Sequence, residues 1–168
     1  RTALIDADVL RYECASVGQD KDGNIQSFDF VKQVFDDRIK TIVEGSGSDD
    51  YILFLSGDRH STKILNRERR RSGLPELQFE PNFREALAKG KVYKGTRKQD
   101  KPFHWINLTA YILSGTPDRI VVSNGAEADD LIGIEGFKNP SAIICTRDKD
   151  LRMVPGWHYG WECGKQPE

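Results

Sequence analysis

At 168 residues, 38% hydrophobic and 30% charged, the chain is long enough to bury a core without covalent staples and has the balance of an ordinary globular domain. No apolar run approaches the length of a membrane span, and Asp6 breaks the apolar start, so neither a spanning helix nor a signal-peptide core is read in these residues. The formal net charge of −1 conceals a division: residues 59–101 hold thirteen Lys or Arg against five Asp or Glu, a surplus of eight positive charges. A basic segment within an otherwise acidic chain predicts a cation site beside a surface for a polyanion.

Residues 2–5 form a short apolar run that reads as a buried parallel strand, closed by Asp6-Ala7-Asp8. In extended backbone Asp6 and Asp8 point the same way; alternatively, Asp8 caps a helix over 9–17. Asp22-Gly23 predicts a reversal, and the spacing of Val31, Val34, Phe35, Ile39, Ile42 and Val43 predicts an amphipathic crossover helix over 28–44. A second strand over 51–55 exits through Ser56-Gly57-Asp58. The basic stretch 59–101 has no sustained apolar stripe and is expected to stand off the core as a lobe or arch. Pro102 opens a helix over 103–113, and a third strand follows over 119–122. A short helix runs from the acidic stretch at 127 to about 135, a fourth strand covers 141–145, and a fifth, with aromatic alternation, covers 157–162. Strands alternating with helices predict one α/β domain over 1–168, a mostly parallel central sheet flanked by helices in three layers.

Every one of the first four strands leads into acids. Asp6 follows the first, Asp58 the second, Glu127, Asp129 and Asp130 the third, and Asp148 and Asp150 the fourth. In an open α/β sheet functional residues gather at the carboxyl ends of the strands, so these seven carboxylates are predicted to share one edge. Acids at a helix start are also simply favourable to the helix dipole. Seven of them together repel one another unless cations neutralise the charge, and an all-oxygen set without Cys or His suits Mg²⁺ or Mn²⁺ rather than zinc. Cys14, Cys145 and Cys163 are odd in number and not spaced for metal or redox work, which fits a reducing cytoplasm; His60, His104 and His158 are scattered and read as incidental.

Asp6 within Leu4-Ile5-Asp6-Ala7-Asp8, then Ser56-Gly57-Asp58, Tyr93-Lys94-Gly95-Thr96-Arg97-Lys98, the run from Glu127 to Gly133, and the run from Thr146 to Leu151 occur in an order and spacing that resemble the 5′-nuclease superfamily. That family comprises bacteriophage 5′-3′ exonucleases, flap endonucleases and polymerase 5′-nuclease domains, built on a PIN-like core. The resemblance implies a magnesium-dependent, two-metal hydrolysis of DNA phosphodiesters, with Mn²⁺ able to substitute and no organic cofactor. It implies that Asp6, Asp58, Glu127, Asp129 and Asp130 surround the first ion and that Asp148 and Asp150 belong to the second. Lys94 and Arg97 would contact the scissile phosphate at the base of a helical arch. Arg59, Arg67, Arg69, Arg70, Arg71, Tyr93 and Lys98 would hold DNA with a 5′ end or flap, or an RNA–DNA hybrid. A helix-three-turn-helix segment that the family carries after the fifth strand is not among these 168 residues. Two other readings remain at this stage. One is a haloacid-dehalogenase-like phosphatase using Asp6-Ala7-Asp8 with Asp6 as nucleophile. The other is a catalytically weak nucleic-acid-binding module on the same fold.

Overall fold

A computed structural model describes residues 1–79, 101–115 and 117–161. Five strands form one entirely parallel sheet in the order β3-β2-β1-β4-β5. They are β1 (Thr2–Asp6), β2 (Asp50–Leu55), β3 (Ile120–Val122), β4 (Ile143–Cys145) and β5 (Trp157–Tyr159). The helices are α1 (Ala7–Val17), α2 (Phe28–Gly45), α3 (Arg59–Arg71), α4 (Trp105–Leu113) and α5 (Ala128–Lys138), with 3-10 turns at Pro117–Arg119 and Lys149–Met153.

The central strands are apolar on both faces because both faces are covered. Ala3, Ile5, Leu53, Leu55, Ile143 and Cys145 join one core with Leu10 of α1, Val31, Phe35 and Ile42 of α2, and Trp105, Leu108 and Ile112 of α4. The alternate positions Leu4, Phe54 and Ile144 enter a second core with Ala128 and Ile132 of α5 and with Leu151. The result is the three-layer arrangement the sequence predicts. Strand order progresses from β1 outward through β2 to β3, then returns across the sheet to β4. The switch point therefore lies between β1 and β4, where open α/β sheets form their ligand crevice.

Several boundaries differ from expectation for identifiable reasons. α1 begins at Ala7, not Val9, and its cap is Asp6, whose side chain accepts the Val9 N–H; Asp8 is already helical. α4 begins at Trp105 because a turn from Pro102 comes first, closed by the Trp105 N–H on the Pro102 carbonyl. Arg119 belongs to the 3-10 turn rather than β3, and α5 continues past residue 135 to Lys138. Residues 59–71 of the basic stretch are one helix; 80–100 lie outside the described residues. The fifth strand is 157–159, shorter than expected, with Gly160 and Trp161 outside it and residue 162 beyond the described residues. No helix among the described residues is long and apolar enough to cross a membrane.

Candidate active site

Because all five strands run the same way, their carboxyl ends share one edge, and each of the first four exits carries a polar residue at its end or directly after it. Asp6 ends β1, while Ser56, Ser123 and Thr146 immediately follow β2, β3 and β4. Each hydroxyl takes one N–H and passes its own proton to an oxygen. The Thr146 hydroxyl accepts the Asp148 N–H at 3.0 Å and donates to Asp6 Oδ2 at 2.9 Å. Ser123 accepts the Gly57 N–H at 3.1 Å and donates to the Ala126 carbonyl at 2.6 Å. Ser56 accepts the Ala128 N–H at 2.8 Å and donates to Asp8 Oδ2, while its own N–H reaches Asp8 Oδ1 at 2.8 Å.

Asp6 is the buried member of the acidic edge, 4% exposed. Burial, with the negative charges of Asp8 and Asp129 added, pushes its carboxyl up to about 7, against the pull of its bonds from Thr146 and Val9. Nearby, the Arg11 guanidinium is buried against the Trp105 ring, 3.9 Å from its centroid, and donates to Thr109 Oγ1 at 3.1 Å. Burial lowers its proton affinity, and the charges of Asp8 and Asp58 oppose that. Arg11 Nη2 lies 3.6 Å from Asp8 Oδ1, so a cation backs the acidic edge from inside the fold.

All seven predicted carboxylates lie after strand exits on this edge, but most are engaged locally. Asp58 accepts the Ser61 N–H at 2.7 Å and caps α3. Asp129 Oδ1 accepts the Asp130 N–H at 2.9 Å, Asp130 Oδ2 the Glu127 N–H at 3.3 Å, and Asp148 Oδ1 the Asp150 N–H at 2.9 Å. Among the described residues, no three His, Cys, Asp or Glu side chains stand close enough together to hold a metal ion. The carboxylates share an edge without forming a coordination sphere. Three of them, Asp129, Asp130 and Asp150, line an open groove of about 520 Å³ together with Ile134, Phe137 and Val154. The donor chemistry, hard oxygens throughout, fits Mg²⁺ or Mn²⁺. Asp6 feels the charges of Asp8 and, more weakly, Asp129, and a cation beside it would relieve both.

On α3, Arg59, Arg69, Arg70 and Arg71 also have local partners. Arg59 stacks 4.8 Å from the Phe79 ring centroid, Arg69 Nε donates to the Pro75 carbonyl at 2.7 Å, Arg70 pairs with Glu76 at 3.0 Å, and Arg71 pairs with Glu68 at 3.1 Å. The last two pairs are exposed, so each stabilises little and is open to exchange for a phosphate. Arg69, Arg70 and Arg71 close the helix, where positive charge suits the dipole. Tyr93, Lys94, Arg97 and Lys98 lie outside the described residues. His104 is a structural pin, 2.6 Å from the Gln26 carbonyl and packed against Phe28 and Phe103.

Sequence reading missed the hydroxyls Ser56, Ser123 and Thr146, the buried Arg11, and Glu13, which accepts from Arg147 at 2.6 Å and from the Trp161 indole at 2.8 Å. One signal was available: three consecutive strands are each followed directly by Ser or Thr. No protein-family model, curated protein or solved structure matches this chain.

Proposed function

We propose that this protein is a metal-dependent 5′-nuclease, hydrolysing DNA phosphodiesters at a 5′ end or flap in the cytoplasm. The observation that carries the reading is the delivery of carboxylates by four parallel strand exits to the switch-point edge, with Asp6 buried among like charges and lifted to about 7. Asp6, Asp58, Glu127, Asp129 and Asp130 would hold one Mg²⁺ or Mn²⁺, and Asp148 and Asp150 a second. Bound there, such ions supply an activated water and stabilise the leaving oxygen. The protein's own part is to hold the acids at fixed spacing and to orient the substrate. Lys94 and Arg97 would face the scissile phosphate, and the arginines of α3 would grip the backbone through interactions that weaken with salt.

A phosphatase using Asp6 as nucleophile leaves the positive surplus of residues 59–101 and the acid at Asp58 without a role. A binding module gains support from the absence of a three-ligand cluster among the described residues. Cleavage of a 5′-labelled flap and a recessed duplex in Mg²⁺, Mn²⁺ and EDTA, beside Asp129→Ala and Asp148→Ala, separates the readings. Metal-dependent cutting lost in both variants is the expected result. A gel shift without cutting under every metal would establish the binding module, and hydrolysis of small phosphate esters alone would establish the phosphatase.

A further inference from the structure

Asp8 sits two residues beyond Asp6, yet its carboxylate does not face its neighbours as a free ligand would. Both oxygens are committed to Ser56 on the next strand exit: Oδ1 receives the Ser56 N–H at 2.8 Å and Oδ2 the Ser56 hydroxyl. That hydroxyl has given its only proton to Asp8 and holds lone pairs for the Ala128 N–H, 2.8 Å away. Ala128 opens α5 and is fully buried, with Glu127 before it and Asp129 and Asp130 after it. One short polar chain thus links the exits of β1 and β2 and the helix start after β3, which together carry five of the predicted ligands. Arg11, fixed by Trp105 and Thr109, supports Asp8 from behind.

We infer that Asp8 is a positioning residue for the acidic edge, acting through Ser56 on the start of α5 and touching neither metal nor substrate. The inference deepens the nuclease reading and rests on it for its consequence, but the chain of bonds stands without it. Ala128 reports the chain well. The first N–H groups of a helix have no partner within it, so the protection of this amide comes from Ser56.

The test compares Asp8→Ala, Ser56→Ala, the double variant and Ser56→Thr with the parent protein. Amide exchange of the metal-free protein is followed by NMR, and Mn²⁺ is titrated alone. Loss of the hydroxyl should speed exchange at Ala128 about tenfold while Leu4 and Ile5 in β1 stay protected. Mn²⁺ affinity should fall about 10–100-fold in each single variant, as for loss of a group that orients a ligand. The double variant should lose no more than either single one, because both act along one path, and Ser56→Thr should restore both readouts.

The inference is overturned if Asp8→Ala weakens Mn²⁺ far more than Ser56→Ala and the two losses add, since Asp8 would then be a ligand. It is equally overturned if exchange at Ala128 is unchanged in Ser56→Ala. Should the parent protein bind no Mn²⁺ at all, the nuclease reading fails, and the exchange rates alone decide whether Asp8 and Ser56 hold the helix start.

Discussion

Replacing Asp6 by Asn tests the electrostatics of the edge without a substrate. In the metal-free protein the Asp6 carboxyl is raised from 3.8 to about 7. Between those values the folded protein holds a proton that the unfolded chain has released, so stability falls as pH rises through the window and levels off above it. A shift of about three units corresponds to roughly 4 kcal/mol in full, of which about 3 kcal/mol is lost between pH 5 and pH 8. Asparagine keeps the shape and an acceptor for Thr146 but does not titrate. Asp6→Asn should therefore gain about 3 kcal/mol relative to the parent on going from pH 5 to pH 8, seen as a relative rise in melting temperature of about 8 °C. Urea and thermal unfolding of both proteins in EDTA at the two pH values measure it. A stability difference that stays flat across the window would refute the argument, because it would mean that Asp6 titrates alike in folded and unfolded chains. Millimolar Mg²⁺ should stabilise the parent at pH 8 and leave the Asn variant nearly unmoved if Asp6 is a ligand.

Other positions give independent checks. A Cβ at Gly57 would overlap the carbonyl oxygen of Ser123, so Gly57→Ala should cost about 3 kcal/mol in urea unfolding by forcing the β2 and β3 exits apart; a neutral result would mean that those loops yield freely. Arg11→Met keeps much of the packing on Trp105 but strips Asp8 and Thr109 of a partner, and should destabilise by about 3 kcal/mol, with denaturant midpoints as the measure. Cys14 is a buried free thiol, and burial pushes the Cys145 thiol up to about 12, so neither should be alkylated by iodoacetamide at pH 8 before unfolding; peptide mapping by mass spectrometry reads this directly.

Elements that bury continuous apolar runs were legible in the sequence. Leu4-Ile5, Leu53-Phe54-Leu55 and Ile143-Ile144 announce two-faced strands, and the period of Val31, Phe35, Ile39 and Ile42 announces α2. α3 was not legible by that route, because Ser61 is its only fully buried residue; its start is set by the Asp58–Ser61 capping box, a signal hidden by reading Asp58 solely as a ligand. The acids after each exit were legible as residue types. Their engagements were not, since whether Asp6 or Asp8 caps α1 depends on Ser56, Thr146 and Arg11, none of which local pattern can place. Arg11 illustrates the difficulty: ahead of the fold a helical arginine reads as solvated, yet its environment is made by Trp105 and Thr109, far along the chain.

α1 carries three polar side chains that each fasten a different part of the molecule: Asp8 the β2 exit, Arg11 α4, and Glu13 the loop after β4. Their partners lie 48, 98 and 134 residues away in sequence. Such contacts carry the largest loop-closure cost and are expected late in folding, after the local helices. A nascent chain that has emerged only through the first turn of α5 already contains five of the seven acids, but Thr146 and Arg147, which tie down Asp6 and Glu13, have yet to be made. The acidic edge thus acquires its order late, after five of its seven acids have already been made, and until then their charge is carried unassembled.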